Sequence, residues 1–564
     1  MDVIFAFAVL SGKWFSFYSK SIIYLCHYIL LFAILSLLDL LRYRYFYVYL
    51  YDVNLDGIQN FESLRNDGYF YIDKTALIYQ LVKSGRYYFL SRPRRFGKSL
   101  LISTLEAYFQ GKKELFQGLA MEKLEKDWTK YPILHIDLNT QKYDSPQSLE
   151  SKLNRTLVTW EKLYGNEPAE DSLSMRFEGT IQRAYEQTGQ RVVILVDEYD
   201  KPMLQAIGNK ELQNSFRETL KAFYGALKSK DGCIKFAMLT GVTKFGKVSV
   251  FSDLNNLDDI SMWNEYIELC GISEKEIHKN LETELHEFAD VQKMTYDSFC
   301  EKLRQYYDGY HFTHNSIGMY NPFSLLNAFK RKEFGSYWFE TGTPTYLVEL
   351  LKRHHYNLER MAHEETNAQV LNSIDSESTS PIPVIYQSGY LTIKGYDEEF
   401  GIYHLGFPNK EVEEGFIQFL VPYYTSMNKV ESPFEIQKFV REIRSGDYNS
   451  FFQRLQSFFA DTTYEIIREQ KLHYENVLFI IFKLVGFYVK VEYHTSRGRI
   501  DLVLQTDKFI YIMEFKLNGT AEEALQQIND KHYALPFETD GRRLFKIGVN
   551  FSAETRNIEK WIVE

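Results

Sequence analysis

Short apolar runs alternate with longer amphipathic stretches from Gly57 to about Leu269. Polar or turn residues bound each apolar run, as is typical of buried strands. These runs cover residues 87–90, 133–138, 192–196 and 234–239. The stretches between them, such as 149–163 and 214–227, space their apolar residues at helical intervals. Strands separated by helices of this length predict an α/β fold with a parallel sheet.

The pattern changes beyond this first region. Residues 273–371 look mainly helical, as over 274–288 and 296–307, and Pro322 is placed to open a further helix. We expect this part of the chain to form a lid or a spacer. A mixed region follows, and helices then dominate over residues 433–484.

The composition is that of an ordinary globular protein of 564 residues, with 45% hydrophobic and 25% charged residues. This length is enough for two or three domains, each with its own core. The formal net charge of −10 excludes a broadly basic surface, so any contact with nucleic acid must come from a local patch. The four cysteines are scattered, which disfavours zinc and disulfides and favours a cytoplasmic location.

The first 53 residues are rich in Tyr, Phe and Leu, and residues 22–38 form an apolar run. At about 1.5 Å per residue this run reaches roughly 25 Å, which is marginal for a hydrocarbon core of about 30 Å. Two interpretations stay open: a helix that anchors the protein in a membrane, or an over-extended reading frame. No small-residue cleavage site follows the run, which disfavours a secretory signal.

The first apolar run leads through a short loop into Gly97-Lys98-Ser99 and then into an amphipathic helix. A strand, a tight loop and a helix in this order form a phosphate cradle, because amides at the helix N-terminus face the phosphates. Lys98 would reach the β and γ oxygens, and the Ser99 hydroxyl would hold Mg²⁺. Arg92 stands where the standard motif has its first glycine, so the loop alone does not decide the assignment.

A second motif supports nucleotide binding. Five aliphatic residues lead into Asp197 and Glu198, which predicts a buried strand with carboxylates at its C-terminal end. There Asp197 can bind Mg²⁺ and Glu198 can polarise the attacking water, whereas the alternative is a core strand with a solvated acidic turn. Thr240 ends the next strand and is a candidate sensor of the γ-phosphate. Lys244 and Lys247 either neutralise charge in the transition state or belong to a basic surface loop.

Residues 498–504 and 509–516 predict an antiparallel hairpin near the C-terminus. Asp501 lies on the first strand, and Glu514 and Lys516 share one face of the second because strand side chains alternate. Two carboxylates and a lysine form a site for Mg²⁺ or Mn²⁺ that is suited to phosphodiester hydrolysis. The alternative is a surface hairpin with a cross-strand Glu–Lys pair.

Residues around this hairpin offer further candidates. The helix predicted at 521–533 carries Gln526 and Gln527, and one of them can orient the attacking water. Upstream, Glu469 and His473 lie one turn apart on a helix. Either can add a metal ligand, although most such helical pairs are solvated. The order of an Asp, a Glu-x-Lys and a helix with Gln favours the metal site.

A series of short motifs follows a fixed order along the chain, at residues 68–75, 92–99, 195–202, 240–242, 307–310, 320–323, 337–342, 498–501 and 514–516. Together they resemble those of bacterial AAA-ATPase-like proteins with a C-terminal PD-(D/E)XK nuclease-like domain, from about residue 54 onward. In that family the Arg-Pro-Arg-Arg form of the loop is the usual variant, so Arg92 is not a defect. Members often have arginine where Lys244 stands, which weakens an arginine-finger role there. Residues 1–50 have no counterpart in the family, which favours the reading-frame interpretation.

The resemblance implies two sites. Phosphate binding is predicted for Arg94, Arg95, Phe96, Gly97, Lys98, Ser99, Leu100 and Thr240. Catalytic roles are predicted for Glu198, Asp501, Glu514, Lys516 and Gln527. Metal ligation is predicted for Ser99, Asp197, Asp501 and Glu514.

The predicted architecture is a P-loop NTPase parallel sheet, a helical middle region and a C-terminal α/β restriction-endonuclease-like domain. The predicted segments are residues 1–53, 54–272, 273–380 and 381–564, with the nuclease-like part at about 455–564. The leading hypothesis is an ATP-driven, Mg²⁺-dependent protein that acts on DNA, in which ATP gates the nuclease. A nucleotide-switched scaffold with a non-cutting nuclease fold is the second hypothesis, and a membrane-tethered ATPase is the third. Homo-oligomerisation is left open.

Overall fold

The structure is a computed structural model of the chain. It describes residues 58–245, 256–340, 345–372, 374, 380–425, 432–460, 470–486, 488, 490–496, 499–517, 519–537, 539–552, 554–555 and 557–564. The apolar run at 22–38 lies outside these residues, and so does Lys247. Within the described ranges, every helix is too short or too polar to cross a membrane.

The chain divides into two compact units, residues 1–71 and residues 72–564. In the described part of the first unit, helix α1 spans Phe61–Asn66. The Asn60 side chain caps this helix by accepting a hydrogen bond from the Ser63 amide at 2.9 Å. The rings of Phe61 and Tyr71 pack edge to face, 5.2 Å apart.

The second unit opens with a five-stranded parallel sheet. Its strands are β1 (Tyr87–Ser91), β2 (Ile133–Asp137), β3 (Val192–Asp197), β4 (Ile234–Gly241) and β5 (Asp258–Asp259). They lie in the order β2-β3-β4-β1-β5, and every pairing is parallel. The predicted α/β class and the four predicted strands are confirmed. The short edge strand β5 was not predicted, because two consecutive aspartates have low strand propensity.

Helices connect and flank these strands. They are α2 (Thr75–Ser84), α3 (Lys98–Phe109), α4 (Ala120–Leu124), α5 (Pro146–Tyr164), α6 (Leu173–Thr188), α7 (Lys201–Gln205), α8 (Lys210–Tyr224) and α9 (Ala226–Ser229). The helix predicted at 214–227 begins earlier and is divided at Gly225. Strand β3 is buried at all six positions, since helices cover both faces of a parallel sheet.

The middle region is mainly helical, as predicted. Its helices are α10 (Glu274–Asn280), α11 (Glu282–Val291), α12 (Tyr296–Tyr307), α13 (Pro322–Arg331), α14 (Tyr337–Glu340), α15 (Thr345–Arg353), α16 (Ala368–Leu371) and α17 (Ile382–Gln387). The single helix predicted over 274–288 is wrong, because Leu281 leaves helical geometry with φ −131° and ψ 25° and separates two helices. Strands β6 (Ile272–Ser273) and β7 (Met319–Tyr320) pair within this region.

A three-stranded antiparallel sheet precedes the C-terminal helices. It contains β8 (Glu364–Asn367), β9 (Thr392–Asp397) and β10 (Ile402–Gly406), with β10 in the middle. The helices that follow are α18 (Lys410–Tyr424), α19 (Ser432–Ser445), α20 (Tyr448–Ala460) and α21 (Gln470–Gly486).

The C-terminal sheet has five strands in sequential order. They are β11 (Lys490–Ser496), β12 (Arg499–Gln505), β13 (Phe509–Leu517), β14 (Arg543–Ser552) and β15 (Asn557–Val563). The predicted hairpin is confirmed as the antiparallel pair β12–β13. Strand β14 runs parallel to β13, and helix α22 (Ala521–Asp530) connects the two. This α/β arrangement agrees with the predicted fold class.

Candidate nucleotide and nuclease sites

The phosphate loop joins the end of β1 to the start of α3, which begins at Lys98. Gly97 precedes the helix with φ +91°, a left-handed conformation that glycine adopts without strain. The Lys98 side chain is buried and lies across the loop, where its ammonium donates to the carbonyls of Arg92 at 3.2 Å and Pro93 at 3.3 Å. The loop therefore has the strand–loop–helix geometry of a phosphate cradle.

Asp197 faces this loop from the end of β3. Its Oδ2 accepts a hydrogen bond from Ser99 Oγ at 2.6 Å, and its Oδ1 accepts one from Thr240 Oγ1 at 2.6 Å. Burial raises the pKa of Asp197, the neighbouring Glu198 charge adds to this, and the two hydroxyl hydrogen bonds oppose it. Ser99 of α3 and Thr240 of β4, both predicted site residues, thus contact the carboxylate of Asp197, which is a third.

Glu198 takes an unusual backbone conformation, with φ +54°. Its Oε1 lies 3.2 Å from Lys98 Nζ, and the two side chains are 16% and 3% exposed. Left-handed backbone in a residue other than glycine costs about 1–2 kcal/mol and concentrates at functional sites. The structure therefore joins Lys98, Ser99, Asp197, Glu198 and Thr240 in one cluster.

The remaining loop residues predicted to bind phosphate differ in their surroundings. The Arg95 guanidinium lies over the Phe323 ring, 5.0 Å from its centroid. Phe96 is 1% exposed and packs edge-on against Tyr310 at 4.8 Å, so its ring serves the core and only its backbone is available to a ligand. Arg94 and Leu100 are partly exposed.

Asp200 belongs to this site although the sequence did not single it out. It is fully buried and accepts hydrogen bonds from the Val242 amide at 3.1 Å and from the Thr243 amide at 2.6 Å. These bonds fix the backbone just beyond Thr240. Burial, and then the charge of Glu198, raise the pKa of Asp200 to about 6. Its position within motif 195–202 is the sequence feature that could have identified it.

Lys244 does not belong to a basic surface loop. It is buried, and its ammonium lies 2.9 Å from Asp259 Oδ2 and 3.1 Å from Asn372 Oδ1. Asp259 already balances its charge, so a role in neutralising the transition state is not supported.

The C-terminal site is built on the β12–β13 pair. Asp501 is the register partner of Glu514, so their backbones stand directly opposite each other. Glu514 is fully buried, and its Oε1 lies 3.1 Å from Lys516 Nζ. Lys516 also donates a hydrogen bond to Gln527 Oε1 on helix α22. The helix glutamine therefore meets the Glu-x-Lys strand.

Gly548 allows helix α22 to approach the sheet. It is the register partner of Glu514 on β14, and an added Cβ would lie 2.1 Å from the Ala521 carbonyl oxygen. A larger residue would push the helix, and Gln527 with it, away from the strand that carries Glu514 and Lys516.

Of the two additional ligand candidates, only His473 lies within the described residues. His473 is buried and stacks on Tyr424 at 6.5 Å, and burial lowers its pKa to about 4. The charge of Lys352 on helix α15 also lowers the pKa of His473. Glu469 lies outside the described residues.

The donor atoms at both sites suit a hard cation. A carboxylate with two hydroxyls at the first site, and a buried carboxylate at the second, are oxygen ligands that Mg²⁺ prefers. Within the portion of the chain that the structure describes, three or more His, Cys, Asp or Glu side chains do not gather into a metal-binding group. The assigned roles of the site residues stay predictions.

The fold and the sites together define a nucleotide-binding P-loop domain followed by a nuclease-like domain. Residues 56–251 match the model of the predicted AAA-ATPase family. Residues 458–561 match that of the PD-(D/E)XK nuclease superfamily.

A curated relative extends the match over the whole architecture. The "Uncharacterized protein in vnfD 5'region" of Azotobacter chroococcum mcd 1 is 35% identical over 524 residues, which cover 90% of this chain and 98% of the relative. The chain therefore belongs to the family of predicted AAA-ATPases with a C-terminal PD-(D/E)XK nuclease-like domain.

A solved structure of the ORC2 protein of Aeropyrum pernix, in ADPNP–ADP complexes, aligns with 59% of this chain and 87% of its own. The two are 10% identical, with a TM-score of 0.24. The parallel sheet itself, with its order and loop, defines the fold of this chain.

Proposed function

We propose that the protein binds and hydrolyses ATP with Mg²⁺ and uses this cycle to control a metal-dependent nuclease that acts on DNA. The observation that carries the proposal is the Asp197 carboxylate, which accepts hydrogen bonds from the Ser99 and Thr240 hydroxyls. It lies beside the Lys98–Glu198 ion pair. These side chains suit phosphate binding, Mg²⁺ ligation and orientation of the attacking water, and they lie at one edge of the sheet.

In the proposed hydrolysis, each residue of the cluster has a distinct role. Lys98 leaves Glu198 to contact the β and γ oxygens, because these oxygens carry more negative charge than one carboxylate. Glu198 is then free to orient the attacking water. Thr240 holds Asp197 in place from the neighbouring strand. Mg²⁺, when bound at Ser99 and Asp197, would neutralise charge that develops on the phosphates.

The C-terminal site would cleave a phosphodiester bond. Asp501 and Glu514 would hold the divalent ion, and this ion would supply Lewis-acid chemistry. Lys516 would contribute a positive charge near the scissile phosphate, and Gln527 keeps its ammonium oriented. The resemblance to PD-(D/E)XK nucleases supports DNA as the substrate.

A matched pair of variants tests both halves of the proposal on full-length protein. Lys98→Ala should abolish ATP hydrolysis because it removes the phosphate contact, and circular dichroism should check that this variant with a buried substitution is folded. Asp501→Ala should leave hydrolysis unchanged and abolish Mg²⁺-dependent nicking of supercoiled plasmid. We expect at least a hundredfold loss of ATP hydrolysis in Lys98→Ala and of nicking in Asp501→Ala. Equal nicking by the native protein and by Asp501→Ala would show that the proposed nuclease activity is wrong.

A nucleotide-switched scaffold is the second candidate function. The net charge of −10 favours it, because an acidic chain attracts DNA weakly unless a local basic patch is present. Under this alternative Lys98→Ala abolishes function in cells whereas Asp501→Ala leaves function intact. The nuclease proposal expects both variants to lose function.

A further inference from the structure

The phosphate loop is held at one atom by two helices that lie far along the chain. The main-chain carbonyl oxygen of Arg94 accepts a hydrogen bond from Asn321 Nδ2 at 3.3 Å. It also accepts one from Trp338 Nε1 at 3.2 Å. These partners are 227 and 244 positions away in the sequence, and they come from motifs 320–323 and 337–342, to which no role was assigned.

A second set of hydrogen bonds, at the N-terminus of helix α13, fixes the orientation of the Asn321 side-chain amide. Its Oδ1 caps helix α13 by accepting from the Phe323 amide at 3.0 Å and the Ser324 amide at 3.2 Å. With its oxygen committed to the helix, the Nδ2 group can point in only one direction, toward the loop. The residue is 1% exposed, so solvent does not compete for this donor.

Trp338 is fixed as firmly. Its backbone amide donates to Glu411 Oε1 at 2.8 Å, and Ser324 Oγ donates to the same oxygen at 2.9 Å. Its ring packs against Tyr390 at 5.0 Å, and the residue is 5% exposed. One buried carboxylate, Glu411, thus ties together the helices that supply both donors to the loop.

Anchoring this carbonyl sets the direction of a loop amide. In a planar trans peptide, the carbonyl and the following N–H point in opposite directions. The hydrogen bonds to Arg94 O therefore orient the N–H of Arg95. Arg95 and Gly97 both have left-handed backbone, with φ of +66° and +91°. Successive amides in such a geometry form a concave site for anions.

We propose that Asn321 and Trp338 are positioning residues of the nucleotide site, which hold the phosphate loop in its binding geometry without contacting the nucleotide. This inference rests on the proposed ATP site. It gives the middle region a direct part in nucleotide affinity, beyond that of a lid or spacer.

Asn321→Asp tests the inference because it is nearly isosteric and replaces the donor to Arg94 O with a charged acceptor. The carboxylate still caps α13, but it faces Arg94 O with an acceptor. Binding of a fluorescent N-methylanthraniloyl ATP analogue should weaken about tenfold, and KM for ATP should rise by a similar factor while kcat changes less than threefold. Trp338→Phe keeps most of the ring and should weaken binding about threefold.

Two matched variants control for helix capping and for loss of a buried indole. Asn209 caps α8 by accepting from the Leu212 amide at 3.1 Å, so Asn209→Asp makes the same substitution at the cap of a different helix. Trp160 is 6% exposed within α5, and Trp160→Phe changes a buried indole there. Both should bind the analogue as the native protein does.

The outcomes separate this inference from the proposed function. If native protein binds the analogue and Asn321→Asp and Trp338→Phe bind it no more weakly than their controls, the positioning role is wrong. If native protein does not bind it, or Lys98→Ala binds it equally well, the proposed ATP site itself fails. Should Asn321→Asp not fold, the Trp338→Phe result alone decides the inference.

Discussion

Arg92 occupies a loop position where a glycine is expected, and its side chain shows how the loop accommodates it. The guanidinium turns away from the cradle into the protein, where Nη1 donates to Ser91 O at 2.9 Å and to Ser261 O at 2.8 Å. It also lies over the Phe312 ring at 4.0 Å. Burial lowers the pKa of Arg92 to about 10, which leaves it charged at neutral pH. This residue anchors the loop and leaves phosphate binding to others.

Restoring the standard glycine should therefore harm the protein. Arg92→Gly would leave the Ser91 and Ser261 carbonyls without this donor and create a cavity, at a cost of about 3 kcal/mol or more in the free energy of unfolding. Thermal unfolding and analogue binding measure the effect. Arg92→Lys should lose less, because it keeps the charge and part of the volume. An Arg92→Gly protein as stable as the native one would refute this account.

The sequence predicted the residues whose role depends on local pattern. Lys98 and Ser99 follow a strand, Asp197 and Glu198 end another, and these features are visible in a short window. The contact from Asn321 to Arg94 could not be predicted in this way, because it joins residues 227 positions apart.

At the level of elements, one carboxylate ties three helices together near the C-terminal end of α3, away from the phosphate loop. Glu125, just after α4, accepts hydrogen bonds from Tyr108 of α3 at 2.5 Å and from Lys83 of α2 at 2.9 Å. The amides of Lys126 and Asp127 donate to its other oxygen. Burial raises the pKa of Glu125, but these hydrogen bonds outweigh burial and lower it to about 2.

Glu125 should make the stability of this region depend on pH. Because its pKa is lower in the folded protein than the usual 4.5, its contribution is complete above about pH 4.5 and is lost as the pH falls toward 2. Native protein should exceed Glu125→Gln in stability by about 3 kcal/mol at pH 7, and the gap should narrow below pH 4.5. Chemical unfolding at several pH values measures this, with exposed Glu114→Gln as the control. A gap that does not change with pH would contradict it.

Strand and helix positions were predicted more reliably than helix ends. The break at Leu281 and the end of α22 at Asp530, three residues before the predicted end, depend on capping contacts that apolar periodicity does not record. The three-stranded sheet β8-β10-β9 was also missed, since its strands are short and mostly polar.

At the scale of the whole molecule, a continuous set of contacts joins the phosphate loop to the nuclease-like strand. Trp338 contacts Arg94 and Glu411, and Glu411 opens helix α18. From α18, Glu413 Oε1 lies 2.6 Å from Lys483 Nζ on α21. The preceding residue of α21, Phe482, packs against the ring of Phe515 at 6.0 Å, and Phe515 follows Glu514 on β13. We infer that nucleotide binding acts on the nuclease site through α18 and α21.

The Glu413–Lys483 pair allows a test of this path by charge reversal. Lys483→Glu should leave ATP hydrolysis intact but reduce the stimulation of nicking by ATP about threefold, because the two helices no longer attract each other. The double variant Glu413→Lys with Lys483→Glu should restore the stimulation. Nicking rates with and without ATP provide the measurement, and unchanged stimulation in Lys483→Glu would rule the path out.

The left-handed backbone at Glu198 has a practical consequence for attempts to stabilise this protein by mutation. Heat-resistance screens reward substitutions that relieve backbone strain, and glycine at this position would do so. A Glu198→Gly variant would be selected for its higher stability although it lacks the carboxylate that we propose orients the attacking water. Thermostability campaigns on this chain should therefore be paired with a turnover assay from the first round.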